Sequence, residues 1–160
     1  MTTAPQPVFV LDANVLIEFG FWLPITLHSV FWDRFQRSLA KGEWVLLDVV
    51  MNEIRYDKDL KQWCADQKQA GLVQRITDDH RDRAVEINNK YKMIDDATGN
   101  STTDTYVIAY AEASHMTIFT REAPRENTTK LYKIPDVCNL LGVPWTRMPK
   151  EFLEAIGFKN

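Results

Sequence analysis

The feature that most constrains this chain is a short apolar run that stops in an acid. Val8-Phe9-Val10-Leu11 is β-branched and aromatic, long enough for one buried strand, and Asp12 follows at once. Asn14 and the apolar run Val15-Leu16-Ile17 then open a helix-like segment. In an open α/β sheet, ligands bind in the crevice beyond the carboxyl ends of the strands. An acid there is placed for chemistry, although Asp12 or Asn14 would serve equally as a helix N-cap. Capping is the simpler reading of one such acid alone. The chemical reading depends on further acids at equivalent positions.

They are present. Glu53 follows the strand-like Trp44-Val45-Leu46-Leu47, within Val49-Val50-Met51-Asn52-Glu53-Ile54. Asp104 opens the clearest helix of the chain, residues 103–113, with Thr103 as its expected N-cap. Glu122 follows the strand-like Met116-Thr117-Ile118-Phe119-Thr120. A doubly wound sheet would gather these positions at one edge. Four carboxylates sharing a dry cleft raise one another's pKa and oppose folding unless a cation joins them. Oxygen ligands without His or Cys suit a hard ion, Mg²⁺ or Mn²⁺.

Composition bounds the class. The 160 residues are 45% hydrophobic and 26% charged, which fits one globular domain, 1–160, with residues 1–7 as a flexible polar tail. No apolar stretch is long enough to span a membrane. The N-terminus lacks the charged start and apolar stretch of a secretory signal. Cys64 and Cys138 read as free, buried thiols in a reducing, cytoplasmic compartment. With three His they show no zinc spacing. The net charge of −3 argues against a protein that coats nucleic acid, and leaves open an enzyme acting on it.

The expected elements alternate. After the first strand comes a helical turn over 14–19, broken at Gly20 and Pro24, then a helix over 27–39. The strand 44–47 precedes a helical pattern over 48–69, interrupted at 57–59. A connector, 72–77, leads to a helix over 78–94 and a polar loop over 95–103. The Asp104 helix, the strand 116–120, a helix over 135–141, an edge strand 143–145 and a helix over 149–156 complete the chain. This order predicts a three-layer α/β/α sandwich with a mostly parallel central sheet.

Taken together these pieces resemble a PIN domain. The family pattern starts with a strand ending in Asp-x-Asn, here Asp12-Ala13-Asn14. A Glu follows in the helix after the second strand, here Glu53. The third acid opens Asp104-Thr105-Tyr106-Val107-Ile108-Ala109-Tyr110-Ala111, and the last strand ends in Thr120-Arg121-Glu122. The match runs from Val8 to Trp145. Lys133-Ile134-Pro135-Asp136-Val137-Cys138 and the Glu at 122 are similar to a PIN-like bacterial group. The chain departs from the usual pattern at Thr103 before the third acid and Thr105-Tyr106 after it, and in having Glu rather than Asp at 122.

The resemblance implies a metal-dependent endoribonuclease, the toxin half of a bacterial toxin–antitoxin pair. Asp12, Glu53, Asp104 and Glu122 would be its catalytic residues. Asp12, Asp104 and Glu122 would hold Mg²⁺ or Mn²⁺, with the longer Glu122 able to act through a water. Asn14 and Thr120 would hydrogen-bond the ligating carboxylates. The implied partners are RNA, an antitoxin protein and a second copy of the chain. Arg121, Arg125, Lys130 and Lys133 are candidate RNA phosphate contacts, although a solvated basic loop is the simpler reading of any one of them. Most aromatics fall at core spacing, with Phe21 and Trp22 the candidates for exposed contacts; Glu18 reads as a solvated helix position.

Two other readings compete. One is a PIN-fold module that binds RNA or protein without cutting. The other is a receiver-type phosphoacceptor domain built on Asp48, Thr120 and Lys133. Against the receiver, Ala13 stands where that class needs a second acid.

Overall fold

The computed structural model describes residues 6–158, and most of the expected tail, residues 1–5, lies outside them. The described strands, β1 (Phe9–Leu11), β2 (Trp44–Leu47), β3 (Val73–Gln74), β4 (Thr117–Phe119) and β5 (Trp145–Thr146), form one sheet in the order β3-β2-β1-β4-β5. Every pairing is parallel. Parallel neighbours need crossovers, which the described helices α1 (Ala13–Trp22), α2 (Ser29–Ala40), α3 (Asp48–Met51), α4 (Lys58–Gln69), α5 (Asp78–Lys90), α6 (Thr102–Ser114) and α7 (Ile134–Leu141) supply; these and α8 (Pro149–Ala155), which follows β5, flank the sheet. The architecture is a three-layer α/β/α sandwich.

The three residues of β1 and the four of β2 are buried throughout, as sheet strands covered on both faces must be. One face carries an aromatic core. Phe35 of α2 stacks on Trp44 with centroids 4.3 Å apart, and Trp63 of α4 stacks on Phe35 at 5.6 Å. Phe152 of α8 meets Phe9 edge-on at 5.3 Å and stacks on Phe119 at 5.1 Å. Burial of such rings contributes the largest apolar areas available to a chain this size. On the other side α6 packs against β4, and α5 packs against α6.

Several boundaries differ from the sequence expectation. Gly20 does not break α1; it lies inside the helix, where a Cβ would stand 2.7 Å from Asp57 Oδ2. It is there for close approach of the α4 entry, not for a turn. The pattern over 48–69 divides earlier than expected, with a turn and loop between Met51 and Lys58. Asp57 then caps α4, its Oδ1 accepting from Leu60 N–H at 3.0 Å. The 72–77 connector includes β3, which pairs with β2. Thr103 is inside α6; the residue before the helix is Ser101, at φ 72°.

Candidate metal centre

The sheet changes direction at β1. From β1 the chain crosses to β2 and β3 on one side, while β4 and β5 lie on the other. The crevice at such a reversal is where open parallel sheets bind ligands. Register completes the placement: Leu11 is opposite Phe119, so Asp12 and Thr120 leave the two strands together. Asp12 N–H donates to the Phe119 carbonyl at 3.0 Å, one last ladder bond.

Asp12 is buried and held at both carboxylate oxygens. Its Oδ1 accepts from Ala13 N–H at 2.8 Å and its Oδ2 from the Thr120 hydroxyl at 2.9 Å. It therefore caps α1 and presents the rest of its carboxylate to the cleft. Asp104, in the first turn of α6, is also buried. Ser101 precedes it in the left-handed region, which costs a non-glycine residue about 1–2 kcal/mol. Glu122 reaches back from beyond β4. Its Oε2 accepts from Ile134 N–H at 3.1 Å, at the start of α7, and its own N–H donates to Thr120 Oγ1 at 3.1 Å.

One carboxylate oxygen from each of Asp12, Asp104 and Glu122 lies within 4.8 Å of the others. Burial, followed by the charge of Glu122, pushes Asp12 up to about 7. Burial, followed by the charges of Asp12, Glu122 and Glu53, pushes Asp104 up to about 8. Burial also raises Glu122, against the pull of the Ile134 N–H and the Lys133 charge. The groups titrate together, so these positions belong to the cluster. The three acids fit a hard divalent cation. They offer only oxygen donors, they are close enough to share one ion, and their mutual repulsion is relieved by positive charge.

The cluster opens into a cleft of about 580 Å³. Glu53, Asn52 and Arg55 line one side, Ile17 and Asn14 of α1 another, and residues 98–103 a polar wall. Asp95 Oδ1 shapes that wall by accepting from Ala97 N–H at 2.8 Å.

A family model described as a domain of unknown function, DUF4411, matches residues 9–159. The chain belongs to the DUF4411 family. No curated protein matches it in sequence.

In this DUF4411 chain the predicted site residues divide into two groups. Asp12, Asp104 and Glu122 converge, and Thr120 holds one of them. Glu122 offers an oxygen within the same 4.8 Å as the two Asp residues. It spans from β4 to the amide of Ile134 while still reaching the two Asp residues. Glu53 lies in the turn after α3, not in a helix, and it lines the cleft outside the triad. Asn14 holds no carboxylate; its Oδ1 accepts from Arg121 N–H at 3.2 Å.

None of the four basic candidates is part of the cleft lining, though Lys133 is near enough for its charge to act on Glu122. Arg121 pairs with Glu18 at 3.0 Å and donates to the Arg147 carbonyl, tying α1 to the ends of β4 and β5. Glu18 is therefore a paired residue. Arg125 lies over the Tyr132 ring at 3.7 Å and donates to the Lys130 carbonyl. Lys133 precedes α7, where its N–H donates to Asp136 Oδ2 at 2.9 Å. The cation that does line the cleft is Arg55. Nothing in its local sequence distinguishes it; a loop beside the second carboxylate motif is the only signal. Asp48, the receiver candidate, is absent from the cleft lining, and its Oδ1 accepts from Val49 N–H at 2.8 Å.

Proposed function

We propose that this chain is a metal-dependent endoribonuclease of PIN-like type, acting as the toxin of a toxin–antitoxin pair. The observation that carries the reading is the convergence of Asp12, Asp104 and Glu122 at the sheet reversal, in an open cleft lined by polar groups. The fold and the buried acidic triad are compatible with metal-dependent nuclease chemistry. Bound Mg²⁺ or Mn²⁺ supplies charge neutralisation and Lewis acidity at a phosphodiester.

The residues divide the work. Asp12, Asp104 and Glu122 hold the ion. Thr120 and Ala13 fix the Asp12 carboxylate in one orientation, and Ile134 N–H does the same for Glu122. Glu53, half-buried on the cleft wall, orients a water and takes its proton.

The test is cleavage of a defined RNA by purified protein with Mg²⁺, with Mn²⁺ and with chelator. Asp104→Asn is nearly isosteric and should fold, yet it removes a ligand charge. Metal-dependent cleavage lost in Asp104→Asn supports the reading. Equal cleavage in chelator, or at wild-type rate in the variant, removes it. Expression toxicity relieved by a neighbouring gene product tests the toxin role.

A further inference from the structure

Next to the acids the cleft holds a cation, and the surface beyond is aromatic. Arg55 is the one cation among the described residues lining the cleft. It is exposed, and the ion pairs among the described residues do not include it. Its neighbour Tyr56 is 95% exposed. The loop bearing both lies along α1, as the closeness of Asp57 to Gly20 requires.

On α1, Ile17 lines the cleft and Phe21 stands one turn further along the same face. Phe21 is 72% exposed and Trp22 68%. The two rings meet edge-on at 5.3 Å. Adjacent elements thus display rings to water next to residues that line the cleft, Tyr56 beside Arg55 and Phe21 one turn from Ile17. Exposed aromatic surface at the rim of a cleft is surface available for binding.

Charge and continuity select the occupant. An anion is repelled by the four acids except at a bound cation and at Arg55. Guanidinium groups pair with phosphate, and aromatic faces stack on bases without regard to sequence. A duplex keeps its bases stacked inside and offers these rings nothing.

We propose that Arg55, Tyr56 and the Phe21–Trp22 pair form a track that grips a polynucleotide with unpaired bases beside the bond to be cut. The track takes its direction from the nuclease reading above. Arg55 holds a phosphate next to the triad. Tyr56 and Phe21 stack on the bases that follow, with Trp22 supporting Phe21.

The test is anisotropy of a short labelled single-stranded oligoribonucleotide binding to the full chain, with Ca²⁺ neutralising the carboxylates. The same oligonucleotide annealed to its complement is the comparison. Tyr56→Ala and Phe21→Ala should each weaken single-strand binding at least about fivefold, the low end for base stacking. Tyr56→Phe should keep the affinity. Arg55→Ala should reduce the slope of log Kd against log salt by about 0.7, one phosphate contact on a single strand. These side chains are exposed, so melting temperatures should stay unchanged.

Unaltered affinity in Tyr56→Ala and Phe21→Ala, equal binding of duplex and single strand, or no binding by the wild-type chain overturns the track. Cleavage of the same oligonucleotide with Mn²⁺ is followed separately. Binding that responds to the variants without any cleavage keeps the track and removes the nuclease. Cleavage whose KM ignores the variants keeps the nuclease and removes the track.

Discussion

Thr120 Oγ1 donates a hydrogen bond to Asp12 Oδ2 at 2.9 Å, joining residues 108 apart in the chain. Both side chains are buried, and each is the residue immediately beyond its strand. The bond is a product of parallel register: Leu11 opposite Phe119 leaves the next two residues side by side. The same hydroxyl accepts from Glu122 N–H at 3.1 Å, so one threonine orients two members of the acidic triad.

Thr120→Val keeps the shape and removes both contacts. Hydrogen bonds involving charged groups contribute about 1.5–3 kcal/mol. Mn²⁺ affinity should fall about tenfold or more, the lower part of that range. Calorimetric titration of the variant checks it. Wild-type affinity in a folded Thr120→Val protein would show that Asp12 is held without the hydroxyl.

Divalent metal should raise thermal stability, because binding relieves the repulsion among Asp12, Asp104 and Glu122. A ligand at a hundredfold excess over Kd adds about 2.7 kcal/mol. Melting curves with and without Mg²⁺ or Mn²⁺ measure this. An unchanged midpoint at millimolar metal would mean the triad does not share an ion.

In metal-free protein the same acids make stability depend on pH with a defined sign. Asp12 and Asp104 are raised from 3.8 to about 7 and about 8. Their protonated forms contribute stability that is complete below about pH 4 and lost as pH rises through those values. The difference in melting temperature between wild type and Asp104→Asn isolates the effect from other acids. Asp104→Asn should gain on wild type steadily from pH 5 to pH 8.5. A difference that stays constant across that window would place Asp104 at its ordinary pKa.

Glu122→Asp tests whether the longer acid is needed for its span. The shorter side chain cannot reach both the triad and Ile134 N–H, which Glu122 accepts at 3.1 Å. Loss of that contact should cost about 1 kcal/mol of unfolding free energy, with weaker Mn²⁺ binding. Urea titration and calorimetry provide the two readouts. Unchanged stability with higher activity would mean the extra methylene is a handicap.

Much of this was legible along the chain. The apolar runs ending in Asp12 and Thr120 marked two buried strands, because a parallel sheet covered on both faces leaves no polar alternation. The alternation of those runs with helical spacing implied the layers. Three acids at element boundaries pointed to one cleft, because strand ends of a parallel sheet face the same edge. Phe21 and Trp22 stood apart from the core aromatics and are exposed.

Local sequence by itself determined the alternation of strands and helices and which acids were candidates, though not every element boundary. It could not say which partner each side chain would take, since that depends on residues distant in sequence. Tertiary structure gave Asn14 to the Arg121 amide, turned Arg121 toward Glu18, and put Arg55 in the cleft. It also set Gly20 inside a helix, where the decisive fact is the closeness of Asp57 and not glycine's weak helix propensity. Periodicity reports burial because apolar spacing is a property of one segment. Polar roles depend on directed contacts of a few ångströms, and only the packing of α1, β4 and the loops around them decided those distances.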